Sequence, residues 1–283
     1  MLLYDKPRTN ASIARRKKLC YNKKNTGGSV VKGMQRLTGL VRKAIQDYEM
    51  IAPGDRVLVG VSGGKDSVAL TVALGRLRAY LGVPFTVQAV TLDPCFGGVQ
   101  TDYTPLAELF ARENIPYEVR RTDIGPVVFD YRKEPNPCAL CAKLRRGSLN
   151  DAAREQGCGK VALGHHFDDA VETFMLSLFY EGRLSCFRPV TYLDRTDLTV
   201  IRPMLYMTER EVINFAARQA LPICKSGCPV DKETKREDIK QLLRILEHDY
   251  HDLRQHIFGA MQRLPLDGWA PSDPRGRKTK GGD

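Results

Sequence analysis

Val57-Leu58-Val59-Gly60-Val61-Ser62-Gly63-Gly64-Lys65-Asp66-Ser67 opens as an apolar, β-branched run and breaks at a serine and two glycines. The run has the composition of a buried parallel strand. From Ser67 to Leu74 the chain restarts as a helix. A strand, a tight glycine turn and a helix make an anion site: the backbone N–H groups of the turn are free, the helix N-terminus carries partial positive charge, and glycine admits a phosphate close to the main chain. The G-x-x-x-x-G-K-[ST] spacing of the usual nucleotide P-loop is absent. A glycine-rich turn with no ligand is the plain alternative, but two serines, a lysine and an aspartate are more polar than packing requires.

Outward from this stretch, strands and helices alternate. Phe85 to Leu92 reads as a second strand ending at Asp93-Pro94, Tyr117-Glu118-Val119 as a third, and Lys160 to Gly164 as a fourth. Helices are expected over Pro105 to Glu113, Ala142 to Gln156 and Phe167 to Tyr180. This alternation predicts an α/β fold with a parallel sheet covered on both faces, and ligands at the carboxyl ends of the strands. An amphipathic helix from Gln35 to Met50 precedes the first strand. After Gly182 a short edge strand is expected at Val200-Ile201-Arg202-Pro203, then helices over Glu209 to Gln219, Lys235 to Glu247 and Leu253 to Leu264, a helical C-terminal extension. Residues 1–33 read as a basic arm and 265–283 as a disordered tail, leaving one domain over 34–264.

The 283 residues carry a formal charge of +11, which favours a polyanionic partner, nucleic acid before an acidic membrane. No apolar run reaches the length of a membrane span and no signal-peptide core opens the chain, so a cytoplasmic protein is expected. Eight cysteines in a reducing compartment point to thiols or metal ligands rather than disulfides.

Gly164-His165-His166-Phe167-Asp168-Asp169-Ala170-Val171-Glu172-Thr173 leaves a strand and enters a helix. Helix-dipole acids account for one aspartate. Two histidines and two aspartates opposite a phosphate loop suit Mg²⁺–ATP better, a carboxylate oxygen helping to hold Mg²⁺ against the phosphates. Cys138-Ala139-Leu140-Cys141 follows a Pro-Asn-Pro turn, and Cys224-Lys225-Ser226-Gly227-Cys228 lies far downstream. Four thiolates suffice for zinc and three can hold an iron–sulfur cubane with one open iron; composition does not choose between them. Lys143, Arg145, Arg146 and Arg154 lie on or near one helix and are read as contacts to RNA phosphates, against a plain solvated basic face.

Ser62-Gly63-Gly64-x-Asp66-Ser67 resembles the signature of the PP-loop ATP pyrophosphatases, which cleave ATP between its α and β phosphates. The run Cys138-x-x-Cys141-Ala142-Lys143-Leu144-Arg145-Arg146-Gly147 resembles that of the tRNA 2-thiocytidine synthetases, the TtcA family. So do Leu92-Asp93-Pro94, Tyr180-Glu181-Gly182-Arg183-Leu184, Ile201-Arg202-Pro203-Met204 and Cys228-Pro229-Val230-Asp231, in the same order over roughly residues 35–260.

The resemblance implies ATP held by Ser62, Gly63, Gly64, Lys65, Asp66, Ser67, Leu92, Gly164 and His165, with Lys65, Asp66 and Asp169 catalytic and Asp66 and Asp169 on Mg²⁺. It implies a [4Fe–4S] cluster on Cys138, Cys141 and, by its Cys-Pro-x-Asp context, Cys228, with Cys224 as the alternative third ligand. It implies tRNA as substrate: the C2 oxygen of an anticodon-loop cytidine is adenylated and then replaced by sulfur supplied by a cysteine desulfurase or inorganic sulfide. A homodimer is compatible with it. The competing readings are a PP-loop tRNA enzyme of uridine thiolation or amine ligation with structural zinc, and a non-enzymatic zinc-stapled RNA-binding protein.

Overall fold

A computed structural model of the chain describes residues 27–132, 136–224, 226–229, 235–263 and 266–269. Its centre is β1 (Arg56–Gly60), where Val57, Leu58 and Val59 are fully buried because both faces of the strand are covered. β2 (Thr86–Asp93) and β4 (Lys160–Ala162) flank it in parallel register, Val59 opposite Ala89 on one side and Ala162 on the other. β3 (Tyr117–Arg121) lies beyond β2; β6 (Leu198–Ile201) and β5 (Val190–Leu193) lie beyond β4, giving the order β3-β2-β1-β4-β6-β5. All neighbours are parallel except β5 with β6. The chain builds outward from β1 through β2 to β3 and then returns to β1's other side at β4. The crevice between the carboxyl ends of β1 and β4 is therefore a topological switch point, where such sheets bind ligands.

Helices cover both faces, and the expected parallel-sheet α/β fold with a helical C-terminal part is the observed one. On one face, α1 (Gly27–Asp47), α2 (Lys65–Leu77) and α5 (Phe167–Leu176) pack into a large core with α6 (Glu209–Arg218), α7 (Lys235–Asp249) and α8 (Leu253–Arg263). On the other, Leu149, Ala152 and Ala153 of α4 (Pro137–Glu155) cover Leu58, Val90 and Val161. α3 (Thr104–Arg112) joins the first core through Leu106 and Phe110.

Several expectations need correction. The edge strand placed at Val200–Pro203 is interior: β6 pairs with β4 and with β5, and the true edge, β5, forms a hairpin with β6 through the polar turn Asp194–Asp197. α4 begins at Pro137, not Ala142, because Asn136 caps it by accepting from Ala139 N at 3.2 Å and proline suits a first helical position. The CxxC therefore sits on the first turn of the helix. The expected Phe167–Tyr180 helix changes to a π turn at Ser177–Glu181, and a second π turn spans Pro126–Arg132. α1 starts inside the presumed arm, which otherwise lies, with residues 1–26, outside the described residues. The tail boundary also moves. Trp269 is fully buried, its indole N–H donating to the Phe187 carbonyl at 3.1 Å, while Tyr48 Oη donates to its carbonyl at 3.3 Å. Residues 270–283 lie outside the described residues.

Candidate active site

The Ser62–Ser67 loop is closed by its own serines. Ser62 N donates to Ser67 Oγ at 3.1 Å, the two hydroxyls lie 3.2 Å apart, and Ser67 Oγ donates to the Gly64 carbonyl at 3.0 Å. Gly64, the residue preceding α2, offers no side-chain cap, so the first N–H groups of α2 remain available to an anion. Gly63 has φ +80°, and a Cβ there would lie 1.8 Å from the Cys224 carbonyl oxygen. Cys224 N in turn donates to the Gly63 carbonyl at 3.0 Å. Glycine is thus required twice at residue 63, for its backbone angle and for the close passage of the cysteine-bearing segment.

The second strand end meets the loop directly. A Cβ on Gly164 would lie 3.0 Å from the Asp66 carbonyl carbon and 3.1 Å from Ser67 N, so this glycine lets the turn after β4 approach the start of α2. His166 caps α5 in a reciprocal box: its Nδ1 accepts from Asp169 N at 3.4 Å, and Asp169 Oδ2 accepts from His166 N at 2.9 Å. The ring's Nε2 then faces Asp66 Oδ1 at 3.9 Å and Asp169 Oδ2 at 3.5 Å. The two acids expected to hold Mg²⁺ therefore stand on either side of one imidazole. Asp66 Oδ1 is buried without a hydrogen-bond partner. Two hard carboxylates, one with an unused oxygen, fit a Mg²⁺ ion that takes most of its remaining ligands from phosphate and water.

A cavity of about 330 Å³ opens over these strand ends. Ser62, Asp66, Ser67, Gly164, His165 and Asp169 form its polar side. Val90, Leu92, Leu149 and Leu163 form an apolar side suited to a flat base. Arg145 and Arg146 also line it, so these two of the four expected RNA contacts face the nucleotide cavity. Lys143 is exposed one turn before Arg146 on α4. Arg154 sits in the last turn of α4 beside Gly157, Gly159 and the Asp194–Asp197 turn, at the opposite end of the sheet. Arg154 is therefore separated from the other three cations.

Lys65 is held between Asp66 Oδ2 at 3.2 Å and Glu209 Oε1 at 3.3 Å. Burial acts to lower its pKa, but the two carboxylates together hold it above its ordinary value, so it stays a cation. Burial acts to raise Glu209, yet Lys240 at 2.6 Å, with Lys65, keeps it at about 2. Behind the acids of α5 stand two guanidiniums. Arg236 reaches Asp169 Oδ1 at 3.2 Å, and Arg254 reaches Asp168 Oδ1 at 3.1 Å. Glu172 lies between them, 3.6 Å from each. Glu209, Lys240, Arg236 and Arg254 escaped the sequence reading because they sit on late helices, and only the fold brings them to the loop.

The cysteines divide by environment. Burial pushes the Cys141 thiol up; Arg145 opposes this, and the neighbouring Cys228 and Cys138 add to it. Cys224 instead packs against the main core and acts on Tyr103 and Tyr117. Cys138 and Cys228 both act on Cys141 at the start of α4, while Arg145, which also acts on Cys141, acts together with Cys224 on Tyr103; three soft sulfur donors from this region fit an iron–sulfur cluster. Among the described residues, no three His, Cys, Asp or Glu side chains are already drawn into a ligand group. Cys158 and Cys186 are spent in packing, and burial raises the Cys186 thiol to about 12. Cys95 stands apart after β2, and Cys20 lies outside the described residues.

A phosphate-cradling turn without Walker spacing, at the switch point of a mostly parallel sheet, defines a PP-loop domain, and the model of the PP-loop domain family matches residues 35–245. The chain is 40% identical over 232 residues to the tRNA-cytidine(32) 2-sulfurtransferase of Syntrophotalea carbinolica, covering 81% of this chain and 87% of that one. It is 39% identical over 233 residues to the protein of that name from Dichelobacter nodosus, covering 81% and 86%. Within the PP-loop proteins, the chain belongs to the tRNA-cytidine(32) 2-sulfurtransferase family, a family of enzymes. The fold is shared with NcsA, a U34-tRNA thiolase from Methanococcus maripaludis solved with its [4Fe-4S] cluster, at 22% identity and a TM-score of 0.68, covering 83% of this chain and 79% of that one. No helix among the described residues is long and apolar enough to cross a membrane.

Proposed function

We propose that this chain is an ATP-dependent tRNA sulfurtransferase that adenylates the C2 oxygen of an anticodon-loop cytidine and exchanges it for sulfur, releasing pyrophosphate and AMP. The observation that carries this reading is the direct tether between the phosphate loop and a cysteine-bearing segment, Cys224 N to the Gly63 carbonyl at 3.0 Å. Arg145 lines the nucleotide cavity while acting on Cys141.

A pyrimidine carbonyl is a poor electrophile and its oxygen a poor leaving group. Attack of that oxygen on the α-phosphorus of ATP converts it into the oxygen of AMP. Ser62, Gly63, Gly64 and Ser67 hold the departing pyrophosphate through backbone N–H groups and hydroxyls, and the Lys65 ammonium, kept charged by Asp66 and Glu209, neutralises the developing charge. Val90, Leu92 and Leu163 seat the adenine; His165 borders its phosphates. Asp66 and Asp169 would hold Mg²⁺, which supplies further neutralisation of the phosphates. Cys138, Cys141 and Cys228 would hold the cluster, whose iron without a protein ligand supplies the site for the incoming sulfur. The target base has to leave its stack to enter the cavity, which a loop allows more readily than a duplex. Arg145 and Arg146, at the cavity rim, attract the RNA phosphates that accompany it.

The test is nucleoside analysis of tRNA treated anaerobically with the reconstituted chain, ATP and sulfide, alongside pyrophosphate release. Appearance of 2-thiocytidine with tRNA-dependent pyrophosphate is expected. Thiouridine or an amine adduct in its place, with zinc bound instead of iron, would move the chain to another PP-loop reaction, and no tRNA-dependent pyrophosphate at all would refute the enzymatic reading.

A further inference from the structure

Among the described residues, four buried side-chain nitrogen or oxygen atoms lack a hydrogen-bond partner. Three of them, Asp66 Oδ1, His165 Nδ1 and Arg202 Nε, stand just beyond the carboxyl ends of β1, β4 and β6, three neighbouring strands. Folded interiors leave few such atoms, and a cluster of them at strand ends needs a cause. Asp66 and His165 belong to the cavity already described. Arg202 does not line it and has no role in the chemistry above.

The Arg202 guanidinium lies over the Phe187 ring, its carbon 4.9 Å from the ring centroid. Nη1 donates to the Arg188 carbonyl at 2.5 Å and to Thr191 Oγ1 at 3.3 Å. The Phe187 ring is itself 4.9 Å from that of His165, so arginine, phenylalanine and histidine form one stack across the ends of β6 and β4. Burial pulls the guanidinium down to about 10, opposed by Cys186. It therefore remains a cation at neutral pH, and among the described residues no carboxylate forms an ion pair with it. The neighbouring cations differ: Lys65, Arg236 and Arg254 are each paired with acids. A half-buried charge without a counter-charge, its Nε buried and unpartnered, is costly, and a ligand of opposite sign offsets that cost.

We propose that Arg202 forms a phosphate-ester subsite at the carboxyl end of β6, one strand beyond the nucleotide cavity. The planar fork of arginine matches phosphate oxygens. Strand order assigns the source. The nucleotide cavity spans the ends of β2, β1 and β4, so an ester reaching β6 belongs to the second substrate. The subsite takes a phosphodiester next to the target nucleotide, an assignment that rests on the tRNA reading above.

Isothermal titration of the full chain with an anticodon stem-loop RNA, and separately with α,β-methylene-ATP, tests this for wild type, Arg202→Gln and Arg202→Lys at several salt concentrations. Arg202→Gln is expected to weaken RNA binding about tenfold, to reduce the salt slope by about one, and to leave the ATP analogue within about twofold. Arg202→Lys keeps the cation but loses the fork, and a smaller loss of about threefold with the slope preserved is expected. A loss confined to the ATP analogue would keep the subsite and overturn the RNA as its source. Unchanged affinity for both ligands in a folded Arg202→Gln chain overturns the subsite. Should that variant fail a thermal melt, unchanged RNA affinity in Arg202→Lys does the same. A wild type that binds the ATP analogue but no RNA sinks the tRNA reading instead, and Arg202 is then judged on the analogue alone.

Discussion

Gly63 and Cys224 touch through their backbones: the Cys224 N–H donates to the Gly63 carbonyl at 3.0 Å, and the Cys224 carbonyl occupies the space a Cβ on residue 63 would need. The turn that cradles phosphate and the segment that leads to Cys228 are thus one piece of backbone scaffolding.

Gly63→Ala should therefore damage both halves of the site. The positive φ alone costs about 1 kcal/mol, and the contact with a backbone carbonyl cannot be relieved by a side-chain rotation. Gly54, with φ +86° and open space around its Cβ position, supplies the control. We expect Gly54→Ala to lose only the backbone cost and to keep ATP binding. Gly63→Ala should lose more than tenfold in ATP affinity and a larger share of the thermal midpoint, read by titration and by melting.

The proposed ligand set is tested one cysteine at a time. Alanine at Cys138, Cys141 or Cys228 should abolish iron and sulfide retention after anaerobic reconstitution, whereas Cys224→Ala should keep them, since its sulfur packs into the core. Iron retained by Cys228→Ala and lost from Cys224→Ala would reverse the assignment.

Acid should weaken the fold through His165 before it does so through Glu209. Burial, aided by the Arg202 charge, lowers His165 from 6.5 to about 4. A depressed folded pKa means that the contribution is whole above pH 6.5 and is lost as pH falls toward 4, with a slope of up to about 1.4 kcal/mol per pH unit. Glu209, at about 2 against an ordinary 4.5, loses its contribution only below that ordinary value. Denaturant unfolding between pH 4 and 7 should show the slope in wild type and a flatter profile in His165→Gln; parallel profiles would remove His165 as its source.

Trp269→Ala should cost about 3–5 kcal/mol, because the side chain is fully buried against Phe187 and Phe258 and its carbonyl is tied to Tyr48. A change below about 1 kcal/mol in chemical denaturation would show that this segment is dispensable.

Much of this architecture was legible in the chain itself. The strand before Ser62 announced its burial on both faces through an unbroken apolar run, and the Gly164–Asp169 segment announced a strand end through polar residues entering a helix. The edge strand was misplaced because Val190–Leu193 is only half-buried and short, while its hairpin turn, Asp194-Arg195-Thr196-Asp197, resembles any polar loop. The start of α4 could have been found, since Asn136-Pro137 is an N-cap followed by a first-position proline. Arg202 stands in the family-like run Ile201-Arg202-Pro203-Met204, but nothing local assigns it or Arg236 a role, and Glu209 and Arg254 carry no local signal. Their meaning lies in the partners that the fold supplies or, for Arg202, withholds.

The acids of α5 and the arginines of α7 and α8 form one ion-pair network, in which Glu172 is shared by Arg236 and Arg254. A chimera that exchanges the C-terminal helices between relatives inherits this constraint. Unless α5 travels with them, Asp168, Asp169 and Glu172 meet foreign side chains and α5 is left with more uncompensated negative charge. The indivisible module is therefore discontinuous in sequence, and recombination breakpoints chosen by sequence position alone will cut through it.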